Sequence, residues 1–309
     1  MSLPDGRDSG EAVIEVTGLT KSFGQVHALD GVDLTVDPGQ IFAVLGPNGA
    51  GKTTMLEILE GYMDRDGGSA RVLGQDPGRP DSGWREDIGI VLQETALEPA
   101  LTVRESIEMF AGYYAHPMAV DEVISLVGLE ADAGTRTGRL SGGQRRRLDV
   151  GIALVGDPAL LFLDEPTTGF DPAARRKAWE MIGGLRDIGK TILLTTHYLE
   201  EAEALADRIA ILSQGRVIAE GRSDELGGPE RNRTVISFRL EDRAEVELPD
   251  ALAGRSQSDG GAAVVRISTP DPAGDLAVLI SWAGEQGIDL GSLEVKRPSL
   301  EDVYLELIG

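Results

Sequence analysis

The chain has 309 residues, 41% of them hydrophobic, which is enough for one large domain and one smaller domain with packed cores. Its 52 acidic side chains outnumber its 29 basic ones and give a net charge of −23. Such a charge repels nucleic-acid phosphates and anionic membrane surfaces, so no nucleic-acid partner is expected. The absence of cysteine excludes disulfides and thiolate metal sites, which fits a reducing compartment.

The start of the chain and its apolar runs predict neither a signal peptide nor a membrane span. Residues 1–11 lack a basic start followed by an apolar stretch, and a disordered tail is expected there. The best candidate for a span, Val150 to Leu163, is too short and is interrupted by Asp157-Pro158.

Two early segments, 13–19 and 32–36, partly alternate apolar and polar residues, as half-buried strands of an antiparallel element do. Phe23 lies between them and next to Gly24. An aromatic ring at this point can stack on a flat base or plug the edge of the core. The residues alone leave both interpretations open.

The stretch from Gly46 to Thr53 fits the phosphate-binding template of glycine, four residues and Gly-Lys-Thr without a mismatch. An apolar run at 41–45, typical of a buried strand, precedes it, and residues 54–60 carry apolar side chains at helical spacing. Glycines let the loop amides face phosphate oxygens, and the positive end of the helix points the same way. We expect Lys52 to reach the β- and γ-phosphates of a nucleotide and the hydroxyl of Thr53 to hold Mg²⁺.

Gln93 follows an apolar strand at 88–92, and such strand ends are where α/β folds place ligand contacts. The run from Thr102 to Glu105 is a capping box that predicts a helix through about Tyr114. Helical patterns continue at 120–127, so an inserted helical lobe is expected at about 94–150.

Ser141 is a natural N-cap for a helix over 145–154, with Gly142 and Gly143 in its first turn. Glycine destabilises a helix by about 1 kcal/mol relative to alanine. Close approach of an anion or another group to this backbone accounts for the two glycines. The alternative is an ordinary loop-to-helix junction, with Arg145 to Arg147 as a solvated basic face.

An apolar strand at 160–163 ends in Asp164 and Glu165, and two carboxylates there are costly to desolvate without a cation or a proton to accept. In phosphate-loop enzymes the first carboxylate of such a pair holds Mg²⁺, which leaves Glu165 free to polarise water. His197 stands at the end of the next apolar strand, 191–195, where the strand ends converge.

The pattern of alternating strands and helices breaks at Gly227-Gly228-Pro229, which predicts a domain boundary after residue 228. The larger domain is then 12–228, and 229–309 form a small α+β domain without a catalytic constellation. Its expected elements are strands at 235–240, 244–248, 263–268 and 289–295, and helices at 272–282 and from Ser299 to Ile308.

The motifs between residue 12 and about residue 226 resemble those of the ATP-binding subunit of an ABC transporter, and they follow one another in the order found in that family. Gly46 to Thr53 resembles the Walker A loop, and Leu140 to Gln144 resembles the LSGGQ signature that separates this family from other phosphate-loop ATPases. Leu160 to Glu165 resembles the Walker B strand with its catalytic glutamate. The resemblance implies an α/β fold: a phosphate-loop ATPase core with an antiparallel β subdomain and an inserted helical lobe, followed by the α+β domain.

Shorter matches support the same resemblance. Gln93 is similar to the Q-loop glutamine and His197 to the switch histidine, while Gly169 to Asp171 is similar to the D-loop, with phenylalanine where leucine is common. Phe23 falls where the family stacks an aromatic residue, most often tyrosine, on adenine.

The resemblance implies ATP and Mg²⁺ as cofactors and a head-to-tail dimer in which both subunits contact each ATP. The implied catalytic residues are Glu165, His197 and Gln93, and the implied metal ligands are Thr53, Gln93 and Asp164. Nucleotide contacts are implied for Phe23, Gly46, Asn48, Gly49, Gly51, Lys52, Thr53 and Thr54, and, from the second subunit, for Ser141, Gly142, Gly143 and Gln144.

Pro298 to Tyr304 resembles the C-terminal segment of the antibiotic and drug-resistance exporters of the daunorubicin type. Related multidrug, sodium and polysaccharide exporters share this segment. The resemblance therefore implies export of a drug, antibiotic or other hydrophobic compound through a separate integral membrane permease, contacted near Glu94 to Arg104. The implied location is cytoplasmic, on the inner face of the cell membrane.

Two alternatives belong to other functional classes. A non-transport ABC ATPase usually carries two cassettes with a basic linker or a long coiled coil, and the sequence has neither. A module that binds ATP without turnover has no need for both Glu165 and His197.

Overall fold

A computed structural model of the chain describes residues 11–81, 83–92, 97–226, 234–240, 248–253, 256–258, 264–296 and 300–308. The chain divides into two compact units between Ser223 and Asp224. The expected boundary after residue 228, residues 1–10 of the expected tail at 1–11, and Gln93 lie outside the described residues.

The first unit alternates strands and helices after an initial pair of strands. In chain order its elements are β1 (Ile14–Phe23), β2 (Val26–Val36), β3 (Ile41–Leu45), α1 (Lys52–Leu59), β4 (Gly67–Val72), β5 (Ile88–Val91), α2 (Val103–Ala111), α3 (Val120–Leu126), α4 (Gly142–Leu154), β6 (Leu160–Asp164), α5 (Pro172–Asp187), β7 (Thr191–Thr196), α6 (Leu199–Leu205), β8 (Arg208–Ser213) and β9 (Arg216–Gly221).

The main sheet of this unit has the order β5-β6-β7-β3-β8-β9 and is parallel except for the final pair, β8 and β9. Strands β3, β6 and β7 are buried along their whole length, as expected for parallel strands covered on both faces. Leu45 pairs with Thr196, and Asp164 pairs with Thr195. The ends of these three strands therefore bring the phosphate loop, the two carboxylates and His197 to one edge of the sheet.

The antiparallel sheet, β2-β1-β4, contains longer strands than the sequence pattern predicts. Strand β1 continues to Phe23 and β2 begins at Val26, so Phe23 ends a strand instead of lying in a segment between strands. The pairing of β1 with β2 shifts register three times, after Val16, after Leu19 and after Lys21. These irregularities interrupt the two-residue alternation, which is why the pattern did not reveal the full hairpin.

Helices α2, α3 and α4 pack together as a helical lobe. The Thr102 capping box is confirmed: Glu105 N donates to Thr102 Oγ1 at 3.2 Å, and Thr102 N donates to Glu105 Oε2 at 2.8 Å. Helix α2 ends at Ala111, before the predicted Tyr114, with Gly112, a poor helix former, as its C-cap. Asp171 is the N-cap of α5, and its carboxylate accepts hydrogen bonds from the backbone amides of Ala173 and Ala174.

The second unit is an antiparallel sheet with helices, in agreement with the predicted α+β class. Its described elements, in chain order, are β10 (Thr234–Leu240), α7 (Asp250–Ala253), β11 (Ser256–Ser258), β12 (Val264–Thr269), α8 (Pro272–Gln286), β13 (Leu290–Lys296) and α9 (Leu300–Ile308). The strands lie in the sheet in the order β11-β12-β10-β13. Its core includes Ile236, Phe238, Ile267 and Leu279.

Two elements predicted for the second unit fall wholly or mostly on residues that the structure does not describe. Most of the expected strand at 244–248 and the expected cap at Ser299 lie outside the described residues. In the first turn of α9 Leu300 and Val303 are buried, whereas Leu307, near the end of the helix, is exposed. In the part of the chain with a description, no helix has the length and apolar content needed to cross a bilayer.

Candidate functional site: a nucleotide pocket

The loop from Gly46 to Thr53 joins β3 to α1, which is the strand-loop-helix context that its sequence requires. A Cβ atom at Gly46 would lie 2.3 Å from the backbone oxygen of Leu212, and one at Gly51 would lie 2.3 Å from that of Ala28. Gly51 also has a φ of +107°, which side-chain-bearing residues rarely adopt. The loop is thus packed directly against the backbones of β8 and β2, and only glycine fits at these two points.

Lys52 is the first residue of α1, and its side chain is only 5% exposed. Its Nζ donates to the carbonyl oxygens of Gly46 at 2.8 Å and Pro47 at 3.2 Å. The same ammonium group lies 3.4 Å from Oε1 of Glu165. A positive charge is therefore held at the mouth of the loop, together with the positive end of the helix, where an anionic phosphate can bind.

Asp164, the last residue of β6, is flanked by two hydroxyl groups. Thr53 Oγ1 donates to its Oδ2 at 3.3 Å, and Thr195 Oγ1 donates to its Oδ1. A carboxylate beside a threonine hydroxyl suits Mg²⁺, which usually takes one or two carboxylates together with substrate phosphates. Among the described residues no group of three or more histidine, aspartate or glutamate side chains could hold a metal. The donors at Asp164 thus fit Mg²⁺ with a nucleotide better than an all-protein metal cage.

The backbone of Glu165 adopts an unusual conformation, with a φ of +45°. Side-chain-bearing residues in this region are uncommon, and such a conformation costs on the order of 1–3 kcal/mol. Two contacts with Thr195 hold it: Glu165 N donates to the backbone oxygen at 3.2 Å and to Oγ1 at 3.1 Å. The neighbouring strand β7 therefore fixes the direction in which the Glu165 side chain leaves the backbone.

The carboxylate of Glu165 has three partners. Its Oε1 lies 3.4 Å from Lys52 Nζ and 3.2 Å from Nδ1 of His197. Its Oε2 accepts a hydrogen bond from Thr168 Oγ1 at 3.0 Å. Burial acts to raise the pKa of Glu165, but contact with His197, the Thr168 bond and the Lys52 charge outweigh it and lower the pKa. The carboxylate is thus ionised at neutral pH and faces the phosphate loop.

An open pocket of about 640 Å³ lies beside this loop, within the range of small-molecule sites. Phe23, which is 50% exposed, stands at the pocket with Lys21 Nζ 5.6 Å from the centre of its ring. Most of the residues expected to contact nucleotide are brought together here. The lining comprises Phe23, Val26, Ala28, Asn48, Gly49, Gly51, Lys52, Thr53, Thr54, Glu165, Thr168 and His197.

The residues from Ser141 to Gln144 are not among the described residues that line this pocket. The predicted N-cap is confirmed: Gln144 N donates to Ser141 Oγ at 3.2 Å, and Ser141 N donates to Gln144 Oε1 at 2.8 Å. A Cβ atom at Gly142 would meet no heavy atom within 4 Å in the described chain. No described residue of the same chain therefore lies close enough to Gly142 to require a glycine there.

The solvated basic face considered for Arg145 to Arg147 holds only in part. Arg145 is exposed, Arg147 donates to the carbonyl of Gly128 at 2.6 Å, and Arg146 is buried. Two further residues at the site, Thr168 and Thr195, contact Glu165 and were not predicted from the sequence. Thr195 belongs to the strand that ends just before His197, and that position was the available sign of a role at the site.

Known protein families and individual relatives match most of this chain. Residues 29–168 match the ABC transporter family, and residues 234–299 match the C-terminal domain of ABC transporter domain-containing protein-like sequences. The daunorubicin resistance ATP-binding protein DrrA2 of Streptomyces coeruleorubidus is 39% identical over 96% of this chain and 95% of its own length. The chain belongs to the ABC transporter ATP-binding proteins.

Other relatives extend the likeness of this ABC ATP-binding protein. The Nod factor export ATP-binding protein I of Paraburkholderia xenovorans (strain LB400) is 40% identical over 97% of this chain and 98% of its own length. A solved dimeric ATP-binding cassette in a post-hydrolysis state, bound to ADP and Pi, has 28% sequence identity and a TM-score of 0.60, over 68% of this chain and 98% of that one. The fold of the ABC ATP-binding protein is thus that of an ATP-binding cassette.

Proposed function

We propose that this ABC ATP-binding protein hydrolyses ATP with Mg²⁺ in the pocket beside Gly46 to Thr53 and uses the reaction to drive transport. The observation that carries the proposal is the ionised Glu165 carboxylate, held by Lys52, His197 and Thr168 next to Asp164. A strained backbone that aims a charged group at a phosphate loop suits catalysis better than storage of nucleotide.

Each part of the site then has a role in phosphoryl transfer. Lys52 and the loop amides bind the β- and γ-phosphates, which relieves Lys52 of its contact with Glu165. Thr53, Asp164 and Gln93 would hold Mg²⁺, which would supply positive charge to the phosphate oxygens. Glu165 accepts a hydrogen bond from the attacking water and polarises it. His197 contacts the γ-phosphate, and the ring of Phe23 stacks on adenine.

The site is completed by a second copy in a head-to-tail dimer. Ser141, Gly142, Gly143 and Gln144 lie outside the pocket of their own chain, and Gly142 faces open space among the described residues. Helix α4 thus offers an N-terminus to an anion that its own subunit does not bind. The similar solved cassette is described as dimeric, which supports this arrangement.

The transport step requires a separate integral membrane permease, to which this protein binds on the inner face of the cell membrane. Residues 94–104 are proposed as the contact, of which the structure describes those from Leu97 onward. The relatives named for daunorubicin resistance support a drug, antibiotic or other hydrophobic compound as cargo. A second candidate is a cargo of another chemical class, since a relative named for Nod factor export is equally similar.

The domain assignment belongs to the same proposal. Residues 12–228 form the ATPase domain with its helical lobe at about 94–150, and residues 229–309 form an accessory domain. The described residues of the second unit include no phosphate loop and no group of three or more metal-ligating side chains, so we assign this unit to support of the dimer or of the permease contact.

Hydrolysis is tested with purified protein, ATP and Mg²⁺, by release of inorganic phosphate. Glu165→Gln should lower turnover by about 10²- to 10⁴-fold and leave ATP affinity unchanged, because it removes the water-polarising carboxylate alone. Glu180→Gln, an exposed position on α5, is the control and should match the unaltered protein. Near-normal hydrolysis by Glu165→Gln would overturn its assigned role.

The shared site is tested by dilution. Specific activity should rise with protein concentration, and Ser141→Arg should abolish turnover while monomers still bind ATP. Full activity in a sample shown to be monomeric by sedimentation would contradict a site built from two copies.

The cargo is tested in cells that carry the gene pair for this protein and its permease. Lower accumulation of daunorubicin, lost with Glu165→Gln, would support drug export. Unchanged daunorubicin accumulation, together with export of a polysaccharide, a lipid or sodium ions, would move the assignment to the second candidate.

A further inference from the structure

The side chain of Arg146 lies inside the first unit although it belongs to a run of three arginines on α4. It is only 9% exposed, whereas the adjacent Arg145 is exposed. Burial lowers the pKa of Arg146, while the negative charges of Asp149, Asp164 and Glu201 oppose the shift, and an arginine stays charged at neutral pH. A buried cation of this kind requires partners for its donors.

Its three guanidinium nitrogens donate to three carbonyl oxygens in two separate parts of the chain. Nη2 donates to Asp164 at 2.6 Å, Nε donates to Pro166 at 3.3 Å, and Nη1 donates to Leu92. Asp164 and Pro166 are the backbone neighbours of Glu165 on either side. Leu92 directly precedes Gln93. One side chain therefore holds the chain at both ends of Glu165 and at the end of β5.

A buried carboxylate also holds the same segment. Thr167 Oγ1 donates to Glu201 Oε1 at 2.6 Å, and Trp179 Nε1 donates to the same oxygen at 3.2 Å. Glu201 is fully buried, and it interacts electrostatically with Arg146. The segment after β6 is thus fixed between a cation on α4 and an anion on α6.

We propose that Arg146 is a positioning residue for ATP hydrolysis. It ties α4, whose N-terminus carries Ser141 to Gln144, to the strained segment that carries Glu165. This inference rests on the catalytic role proposed above for Glu165. Contact of the α4 N-terminus with one nucleotide would then be transmitted, through the Arg146 carbonyl bonds, to the carboxylate that acts on the nucleotide of its own subunit.

The geometry requires arginine in particular. A guanidinium group presents donors in several fixed directions from one plane, whereas the lysine ammonium is a single point on a flexible stem. Arg146→Lys therefore keeps the positive charge near Glu201 but loses the simultaneous hydrogen bonds to three carbonyl groups. Arg145→Lys makes the same chemical change at the neighbouring exposed position and serves as the matched control.

The experiment measures steady-state ATP hydrolysis, equilibrium ATP binding and hydrogen exchange in the unaltered protein and in the two variants. Arg146→Lys should lower kcat by about 10- to 100-fold, the effect of a displacement near 1 Å at a catalytic group. KM and the Kd for ATP should stay within about twofold, since the loss falls on the transition state. Amides of residues 164–170 should exchange faster, with little change in Tm. Arg145→Lys should match the unaltered protein.

An unchanged kcat in Arg146→Lys, with unchanged exchange at 164–170, would overturn the inference. So would a parallel loss in kcat and ATP affinity, which indicates general loosening of the fold. If the unaltered protein hydrolyses no ATP, the proposed function fails, and the exchange rates at 164–170 still decide whether Arg146 positions this segment. Should Arg146→Lys not fold, the double variant Arg146→Gln, Glu201→Gln, which removes both buried charges together, is measured in the same way.

Discussion

At the scale of single residues, Glu60 is a buried acid with no place in the proposed chemistry. It is the C-cap residue of α1 and is 5% exposed. Burial raises the pKa of Glu60 from 4.5 to about 7, and the charges of Asp164 and Glu57 add to the effect. The carboxyl group borders a cavity of about 380 Å³ that is also lined by Tyr62 and Phe110. Its protonation state therefore changes near neutral pH.

This shift predicts a pH dependence of stability. A raised pKa in the folded state means that folding favours the protonated form, so the stabilisation is complete below the unfolded value of 4.5 and is lost as pH rises toward about 7. Glu60→Gln mimics the protonated form and should be more stable than the unaltered protein at pH 8, with the difference shrinking as pH falls toward 5. Urea unfolding of both proteins across this range measures it. A difference independent of pH would show that Glu60 does not titrate as described.

At the scale of elements, two helices begin with the same capping geometry in different surroundings. Thr102 with Glu105 starts α2, and Ser141 with Gln144 starts α4. Both are reciprocal capping boxes, so both satisfy two backbone amides and stabilise the helix to a similar extent. Only the second belongs to the proposed nucleotide contact. Comparing variants of the two capping boxes therefore distinguishes an effect on helix stability from an effect on catalysis.

We expect Thr102→Ala and Ser141→Ala each to reduce the free energy of unfolding by about 1 kcal/mol, the usual effect of losing an N-cap. Turnover should fall strongly only in Ser141→Ala, because only that hydroxyl belongs to the proposed nucleotide contact in the dimer. Urea unfolding and phosphate release measured on the same samples give both quantities. Equal turnover in the two variants would limit Ser141 to a structural role.

The elements also show what the sequence could and could not predict. The strands that end at Leu45, Asp164 and Thr196 were predictable because buried parallel strands read as short apolar runs bounded by distinctive loops. The burial of Arg146 was not, because its partners are carbonyl groups at Leu92 and Asp164, which any residue type supplies. Backbone acceptors leave no mark in a sequence, and a charged side chain that binds them looks like one exposed to solvent.

At the scale of the whole molecule, the nucleotide pocket and all its described lining residues belong to the first unit. The similar solved cassette covers 68% of this chain and 98% of its own, so an ATP-binding cassette of that length forms without a counterpart of the remaining residues. The second unit has its own apolar core around Phe238 and Ile267. Each unit thus has the internal packing that an independent domain needs.

A chain cut after Gly228 should therefore fold and bind ATP with Mg²⁺ at unchanged affinity, since every proposed ligand lies before residue 198. It should dimerise less well or couple less well to its permease. Titration calorimetry on the shortened protein measures the affinity, and sedimentation of its Glu165→Gln form with ATP measures the dimer. Loss of ATP affinity in a folded sample would contradict the assignment, and unchanged dimerisation and transport would leave the second unit without the proposed role.

The packing of the phosphate loop at Gly46 and Gly51 has a thermodynamic consequence for ligand binding. Ordering one free residue costs about 1–2 kcal/mol in backbone entropy, and a mobile loop would have to meet that cost for each residue whenever nucleotide bound. Here the loop is wedged between the carbonyl groups of Leu212 and Ala28, so its order is established when the chain folds. Little affinity is lost to ordering, and ATP and ADP meet the same rigid cradle. A conformational change that differs between bound ATP and bound ADP must therefore arise in segments that are not packed as closely as this loop.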